Sequence, residues 1–219
     1  MLHAVIFDLD GTLLDTIDSM AEAGNLMLHT LGLPEQPRDA YRYFAGDGAR
    51  MLVIRALEAA GSGTNSDAVD AALQLYMKFF AKTCTHNVRF YDGIIPLLEE
   101  LSRRHIRTAV LSNKPHEQAV DVVASLFKGI HRFDFVQGQT AQVPRKPDPA
   151  GVYALLKNMD LTPDDCLYVG DTNVDMQTGR AAGLETAGVL WGFRDEKELR
   201  DNHADHIISH PLEMLNLLD

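Results

Sequence analysis

The hydrophobic positions of this chain follow three successive patterns. Near the N-terminus, an apolar run of β-branched and aromatic residues, Val5-Ile6-Phe7, predicts a buried strand. Between residues 16 and 87 the apolar positions recur at helical spacing, and nothing in that segment predicts a strand. From Asp92 onward, helical and strand patterns alternate. The pattern therefore indicates a helical segment placed inside an alternating one.

Turn-forming residues separate the predicted helices of the inner segment. The first helix ends at Gly32 and Pro34, and the turn Gly46-Asp47-Gly48 precedes the third. A loop with Asn65 or Ser66 as its N-cap precedes the fourth. Helices are predicted at residues 17–31, 39–44, 51–58 and 69–80.

The alternating segment predicts a parallel sheet with helices between its strands. Strands are predicted at residues 107–111, 133–136, 166–169, 186–190 and 206–208. Helices are predicted from the N-cap Asp92, at residues 119–126, 149–159, 173–182 and 196–200, and from Pro211 to the end. Alternation of this kind is typical of an α/β fold with a doubly wound, Rossmann-like parallel sheet.

One connection is far longer than a parallel sheet requires. The first strand ends near Asp10 and the next begins at Arg107, whereas a crossover needs only about a dozen residues. We therefore predict an α/β catalytic core formed by residues 1–15 and 88–219, and an inserted all-helical cap domain formed by residues 16–87. Two interpretations of the insertion stay open: a mobile cap over the carboxyl edge of the sheet, and a fixed helical bundle.

The composition narrows the classes of partner. A net charge of −11 and a pI near 5.2 argue against binding of nucleic acid, but a bound metal and one lysine can still create a phosphate site. The two cysteines, Cys84 and Cys166, have no metal-ligand spacing and favour a reducing compartment. The sequence shows neither a secretory signal nor an apolar run that could span a bilayer, so we expect a cytoplasmic protein without a membrane partner.

Two carboxylates end the first predicted strand. Asp8 and Asp10 alternate with Leu9, so their side chains leave the strand on the same side at its carboxyl end. Carboxylates held so close repel each other unless a cation or a shared proton lies between them. The electrostatic cost of holding Asp8 and Asp10 together indicates a functional site.

Further polar residues follow three other predicted strands, whose carboxyl ends converge in a doubly wound sheet. Together with those after the first strand, they are Thr12, Ser112, Asn113, Lys146, Asp171 and Asp175. Several carboxylates with a lysine, a hydroxyl and an amide suit a hard cation and a phosphate. The expected cofactor is Mg²⁺, which binds a few protein oxygens and takes phosphate as a further ligand.

Four short stretches resemble, in the same order, the motifs of the haloacid dehalogenase superfamily. They are Asp8-Leu9-Asp10-Gly11-Thr12-Leu13, Ser112-Asn113, Lys146-Pro147 and Gly170-Asp171-x-x-x-Asp175. The helical insertion between the first two resembles the subgroup with an α-helical cap. Within the superfamily, the turn at 45–49 and the stretch Gly192-Phe193-Arg194 look most similar to phosphoglycolate phosphatase-like enzymes.

The resemblance implies a Mg²⁺-dependent phosphomonoesterase that acts on a small phosphorylated metabolite, with 2-phosphoglycolate as one candidate. It implies that Asp8 attacks phosphorus and forms an aspartyl-phosphate. Asp10 would protonate the leaving oxygen and then activate the hydrolytic water. The implied metal ligands are the carboxylate of Asp8, the main-chain carbonyl of Asp10 and the carboxylate of Asp171.

The same resemblance assigns the phosphate-binding residues. They would be Thr12, Ser112, the backbone of Asn113, and Lys146. Asp175 would act from outside the ligand set, by orienting Lys146 or metal-bound water.

Other functions stay open at this point. A phosphosugar mutase shares the core motifs, and a phospho-accepting receiver module also gathers acidic residues around a metal, although Asp10 and the insertion argue against a receiver. Asp10 argues against dehalogenation as well, and Lys78 and Lys82 are expected in solvent rather than in a Schiff base. Arg50 is expected on a helix surface, with a substrate carboxylate as its alternative partner. The sequence names neither the substrate nor the oligomeric state.

Overall fold

The structure is a computed structural model that describes residues 2–218. Its strands are β1 (Ala4–Phe7), β2 (Leu14–Asp15), β3 (Arg89–Phe90), β4 (Arg107–Pro115), β5 (Phe135–Gln139), β6 (Cys166–Gly170), β7 (Glu185–Val189) and β8 (His206–Ile208). Its helices are α1 (Ile17–Thr30), α2 (Tyr41–Phe44), α3 (Ala49–Ala59), α4 (Ser66–Thr83), α5 (Ile94–Arg103), α6 (His116–Leu126), α7 (Ala150–Met159), α8 (Asn173–Ala182) and α9 (Glu196–Asp201). Short 3₁₀ helices lie at Arg38–Ala40, Pro163–Asp165 and Pro211–Leu217.

The first strand lies in the middle of a six-stranded sheet whose order is β5-β4-β1-β6-β7-β8. All neighbouring pairs are parallel, and β1 pairs with β4 on one side and with β6 on the other. Strand order runs outward from β1 in both directions, which is the switch point where ligands bind in such sheets. The predicted doubly wound α/β core is confirmed.

The residues of β1 are all fully buried, as the continuous apolar run requires of a central parallel strand. Ile6 belongs to a core cluster with Val152 and Leu155 of α7 and with Tyr168 of β6. Burial on both faces fixes the register of β1, and with it the position of the polar residues that follow.

Several predicted boundaries differ from the structure. Helix α5 begins at Ile94 after a left-handed Gly93, so Asp92 is not its N-cap. Strand β5 begins at Phe135 because Phe133 instead packs edge-on against Phe127, with ring centroids 5.0 Å apart. Strand β4 continues past residue 111 and includes Ser112, with an irregular register before Pro115. The terminal helix is a 3₁₀ helix.

The chain forms two compact units, of which the first contains the six-stranded sheet. This unit comprises the chain up to Asp15 and from Phe90 onward, and the second is Thr16–Arg89. No helix among residues 2–218 is long and apolar enough to cross a membrane.

The second unit contains α1 to α4 and has its own buried residues. Thr83 on α4 donates a hydrogen bond to the main-chain oxygen of Ser19 on α1 at 3.2 Å. The side chain of Asn65 caps α4, as predicted, by accepting from the amide of Ala68 at 3.0 Å. The role of this unit as a cap remains a prediction.

Candidate active site

The buried strand β1 delivers Asp8 to the carboxyl edge of the sheet. Asp8 is the first residue after the strand, and its amide donates to the main-chain oxygen of Val169 at 2.8 Å. The chain then turns, with the amide of Gly11 donating to Leu14 at 2.8 Å. Gly11 has a φ of +89°, and a Cβ there would lie 2.2 Å from Oδ2 of Asp171. Only glycine permits this turn to approach Asp171 so closely.

Lys146 is the cation that faces Asp8. Its Nζ lies 2.8 Å from Oδ1 of Asp8 and 2.7 Å from Oδ1 of Asp175. Burial lowers the pKa of the Lys146 ammonium, but the charges of Asp175 and Asp8 outweigh burial and raise that pKa well above its ordinary value. Lys146 is therefore a permanent positive charge between two carboxylates.

The side chain of Asn113 fixes the segment that carries Lys146. Asn113 Oδ1 accepts from the amide of Lys146 at 2.7 Å, and Asn113 Nδ2 donates to the main-chain oxygen of Lys146 at 3.2 Å. Its side-chain amide group thus joins the end of β4 to the loop that carries Lys146.

Asp171 is fully buried and held at both oxygens. Its Oδ1 accepts from Thr12 Oγ1 at 3.0 Å, and its Oδ2 accepts from the amide of Phe193 at 2.7 Å. Burial, and then the charge of Asp175, raise the pKa of Asp171 to about 7, against the opposing effect of these hydrogen bonds. Near neutral pH, a proton and a cation therefore compete for the carboxylate of Asp171.

Both oxygens of Asp175 also accept hydrogen bonds. Oδ1 accepts from Lys146 and, at 3.4 Å, from the hydroxyl of Tyr168. Oδ2 accepts from the amide of Thr172 at 3.0 Å and from its hydroxyl at 2.8 Å. Because its oxygens are used in this way, Asp175 is suited to orienting Lys146.

Three buried carboxylates form a cluster that could hold a metal ion. Asp8, Asp171 and Asp175 each place an oxygen within 4.8 Å of the others. Burial raises the pKa of Asp8 well above its ordinary value, and Asp175 and Asp171 add to this effect while Lys146 opposes it. One lysine does not balance three buried carboxylates, so these residues fit a divalent cation with oxygen ligands.

Asp10 lies beside a second buried lysine. Its Oδ2 is 3.1 Å from Nζ of Lys114, whose side chain is only 4% exposed. Its Oδ1 is buried and accepts no hydrogen bond from residues 2–218. Lys114 is a site residue that we did not predict from the sequence, although its position directly after Ser112-Asn113 at a strand end is a usable signal.

Ser112 and Thr12 lie among these residues but are engaged within the protein. Ser112 is buried, and its hydroxyl oxygen accepts from the amide of Lys114 at 3.1 Å. The hydroxyl of Thr12 donates to Asp171, where the sequence predicts a phosphate contact. Arg50 belongs to the other compact unit and forms an ion pair with Asp70.

The loop after β7 contributes to the site in a way that the sequence analysis did not foresee. Trp191 Nε1 donates to the main-chain oxygen of Thr12 at 2.9 Å, and the amide of Phe193 binds Asp171. Between them, a Cβ on Gly192 would lie 2.2 Å from Cβ of Asp171 and 2.5 Å from the main-chain oxygen of Gly11. The signal in the sequence is the stretch Gly192-Phe193-Arg194, which the resemblance marks only as a family feature.

Known proteins match this chain over most of its length. Residues 5–189 match the family model of the haloacid dehalogenase-like hydrolases. A phosphoglycolate phosphatase of Rhodospirillum rubrum is 36% identical over 200 residues, covering 90% of this chain and 83% of that protein. A phosphoglycolate phosphatase of Pseudomonas putida is 35% identical over 193 residues, covering 86% and 70%.

The fold is also similar to that of solved structures. A crystal structure from Lactobacillus delbrueckii subsp. bulgaricus matches with a TM-score of 0.93 and 28% sequence identity, covering 100% of this chain and 99% of that one.

Proposed function

Because the chain belongs to the haloacid dehalogenase-like hydrolase family and is a phosphatase, we propose that it hydrolyses 2-phosphoglycolate or a closely similar small phosphate monoester. The observation that carries this proposal is the contact of Asp8 with Lys146 inside a buried cluster of carboxylates. The names of the relatives support the choice of substrate.

In the proposed reaction, Asp8 is the nucleophile. Its carboxylate oxygen attacks phosphorus, the new O–P bond forms as the ester O–P bond breaks, and the leaving oxygen departs with the bonding electrons. A carboxylate is a weak nucleophile, so the phosphate must be held in line with it. Lys146, only 2.8 Å from Asp8, supplies a fixed positive charge for the equatorial phosphate oxygens.

Asp10 is the proposed proton carrier. A protonated Asp10 donates to the leaving alkoxide, and its carboxylate then removes a proton from the water that hydrolyses the aspartyl-phosphate. Water attacks phosphorus in that second step, so inorganic phosphate leaves and Asp8 is regenerated. The contact with Lys114 holds the Asp10 side chain in place between the two steps.

The proposed cofactor is Mg²⁺, with Asp8, the main-chain carbonyl of Asp10 and Asp171 as the residues that would hold it. When bound, the ion would neutralise charge on the carboxylates and on the phosphate. Asp171 is fixed for this purpose by Thr12 and Phe193. Asp175 orients Lys146.

The remaining proposed roles concern the phosphate and the second unit. Ser112 and the backbone of Asn113 at the end of β4, together with Thr12, would hold phosphate oxygens. We propose that the helical unit Thr16–Arg89 is the cap domain, since it is inserted between the first and second of the strand-end clusters.

A panel of small phosphate monoesters, assayed with and without Mg²⁺, tests the proposal. We expect 2-phosphoglycolate to give equal amounts of glycolate and inorganic phosphate, and only with the metal present. Release of no phosphate from any monoester would contradict the proposal. Conversion of a sugar phosphate to an isomer without phosphate release would instead favour a mutase.

A further inference from the structure

Lys114 is a second buried cation of the site and lies beside Asp10, whereas Lys146 lies beside Asp8. Both side chains are almost inaccessible, at 4% and 3% exposure. Lys146 contacts the carboxylate assigned to attack phosphorus, whereas Lys114 contacts the one assigned to the leaving oxygen. Placing an ammonium group out of water is costly, so a second buried lysine calls for a function of its own.

The backbone of β4 aims Lys114 at this position. Lys114 follows Asn113 in the segment where the pairing of β4 with β5 becomes irregular between Leu111 and Pro115. Its amide donates to the hydroxyl oxygen of Ser112 at 3.1 Å, which fixes the local turn of the chain. The lysine therefore projects from a braced strand end rather than from a surface loop.

We propose that Lys114 is a specificity residue that binds the carboxylate of an α-carboxy phosphate monoester. The inference rests on the proposed function, because it takes the role of Asp10 from there. As the proposed proton donor, Asp10 must lie within hydrogen-bond reach of the leaving oxygen. Lys114 contacts Asp10, so its ammonium group lies close to the leaving group of the bound substrate.

The chemistry of the substrate fits this position. In 2-phosphoglycolate a single CH₂ group separates the ester oxygen from the carboxylate, so a cation beside the proton donor is within its reach. An ammonium group carries three N–H donors, so one lysine can contact two carboxylates, as Lys146 does with Asp8 and Asp175. Lys114 thus recognises the leaving group while Lys146 recognises the phosphate.

The test compares 2-phosphoglycolate with ethyl phosphate, which has the same chain length but no carboxylate. We expect Lys114→Met to lower kcat/KM for 2-phosphoglycolate by about 10- to 100-fold more than for ethyl phosphate, the loss of one charge-assisted hydrogen bond. Lys114→Arg should recover part of this difference. Lys157→Met, which removes an exposed lysine on α7, should leave both values unchanged.

The outcomes distinguish a failure of the Lys114 inference from a failure of the proposed phosphatase function. Equal losses on the two esters would mean that Lys114 serves Asp10 alone and would overturn the inference, while the phosphatase proposal stands. Failure of the wild-type protein to hydrolyse 2-phosphoglycolate would overturn the inference, and release of no phosphate from any monoester of the panel would overturn both. Should Lys114→Met not fold, the wild-type preference decides: kcat/KM at least about tenfold higher for 2-phosphoglycolate supports the inference, and no preference contradicts it.

Discussion

The side chain of Asn113 and the main chain of Lys146 hydrogen-bond to each other in both directions, at 2.7 and 3.2 Å, across 33 residues of sequence. This pair joins the end of β4 to the loop that carries the buried lysine. It connects the second of the four motifs, Ser112-Asn113, to the third, Lys146-Pro147. The ammonium group of Lys146 takes no part in this link.

Removal of that link should loosen the site and the fold together. Asn113→Ala leaves a buried N–H and a buried C=O of Lys146 without these partners, and we expect a loss of about 1–3 kcal/mol in the free energy of unfolding. Urea denaturation measures this loss. Asn158→Ala, at an exposed position on α7, is the matched control. Equal stability of the two variants would show that the link is dispensable.

Replacement of the proposed nucleophile should stop turnover without unfolding the protein. Asp8→Asn keeps the shape of the side chain and removes a buried charge that burial disfavours. We expect phosphate release to fall by at least about a thousandfold, with a melting temperature no lower than that of the wild type.

The control for this variant is Asp121→Asn, an exposed position on α6. It should retain full activity. Turnover by Asp8→Asn at the wild-type rate would exclude an aspartyl-phosphate on residue 8.

Stability of the metal-free protein should depend on the proton at Asp171. The pKa of this carboxyl is raised from 3.8 in the unfolded chain to about 7 by burial and by Asp175. Between pH 3.8 and about 7, the folded state therefore binds more protons than the unfolded chain. The stabilisation of the folded state by the proton on Asp171 is complete below pH 3.8. It is lost as the pH rises through about 7, with a slope of up to about 1.4 kcal/mol per pH unit.

Chemical denaturation in EDTA at pH 5 to 8 measures this slope. The wild type should lose stability relative to Asp171→Asn as the pH rises, because the amide does not titrate. Added Mg²⁺ should raise the melting temperature of the wild type most at the upper end of this range, where no proton competes for the carboxylate. A difference between the two proteins that stays constant with pH would contradict the assignment.

The close approach at Gly192 should tolerate no side chain. A Cβ there would lie 2.2 Å from Cβ of Asp171, so Gly192→Ala must displace either Asp171 or the turn at Gly11. We expect a loss of about 1–3 kcal/mol in stability and a fall in activity. Gly63→Ala, where nothing lies within 4 Å of the added Cβ, should change stability by less than about 1 kcal/mol. Thermal unfolding and phosphate release of the two variants, measured side by side, check this prediction; similar values would count against the tight packing.

Local patterns in the sequence predicted most elements of the fold. The helix at 173–182 is confirmed at both ends, because the capping residue Thr172 and the left-handed Gly183 are its immediate neighbours in sequence. The strand at 206–208 is confirmed as well. The prediction of an N-cap at Asp92 was wrong, because Gly93 intervenes with a left-handed backbone. A Cβ on Gly93 would also lie 2.7 Å from the His210 ring, a contact between distant residues that the local pattern does not encode.

The candidate site was predictable only as a set of residues. The sequence placed acidic and polar residues after successive strands, and parallel strands bring such ends together. It did not indicate that Thr12 binds Asp171 across 159 residues, or that Trp191 binds the main chain of Thr12 across 179. Contacts of that separation leave no periodic signal.

By itself, then, the sequence determined most of the elements, the parallel arrangement of the main sheet and the family, since each of these depends on the period of apolar residues or on short motifs. The tertiary structure decided which charges meet: Lys146 with Asp8 and Asp175, and Lys114 with Asp10. It also decided that glycine must stand at Gly11 and Gly192, against Asp171. These features depend on distances of a few ångströms between segments far apart in the chain, and only the packed sheet and its loops set those distances.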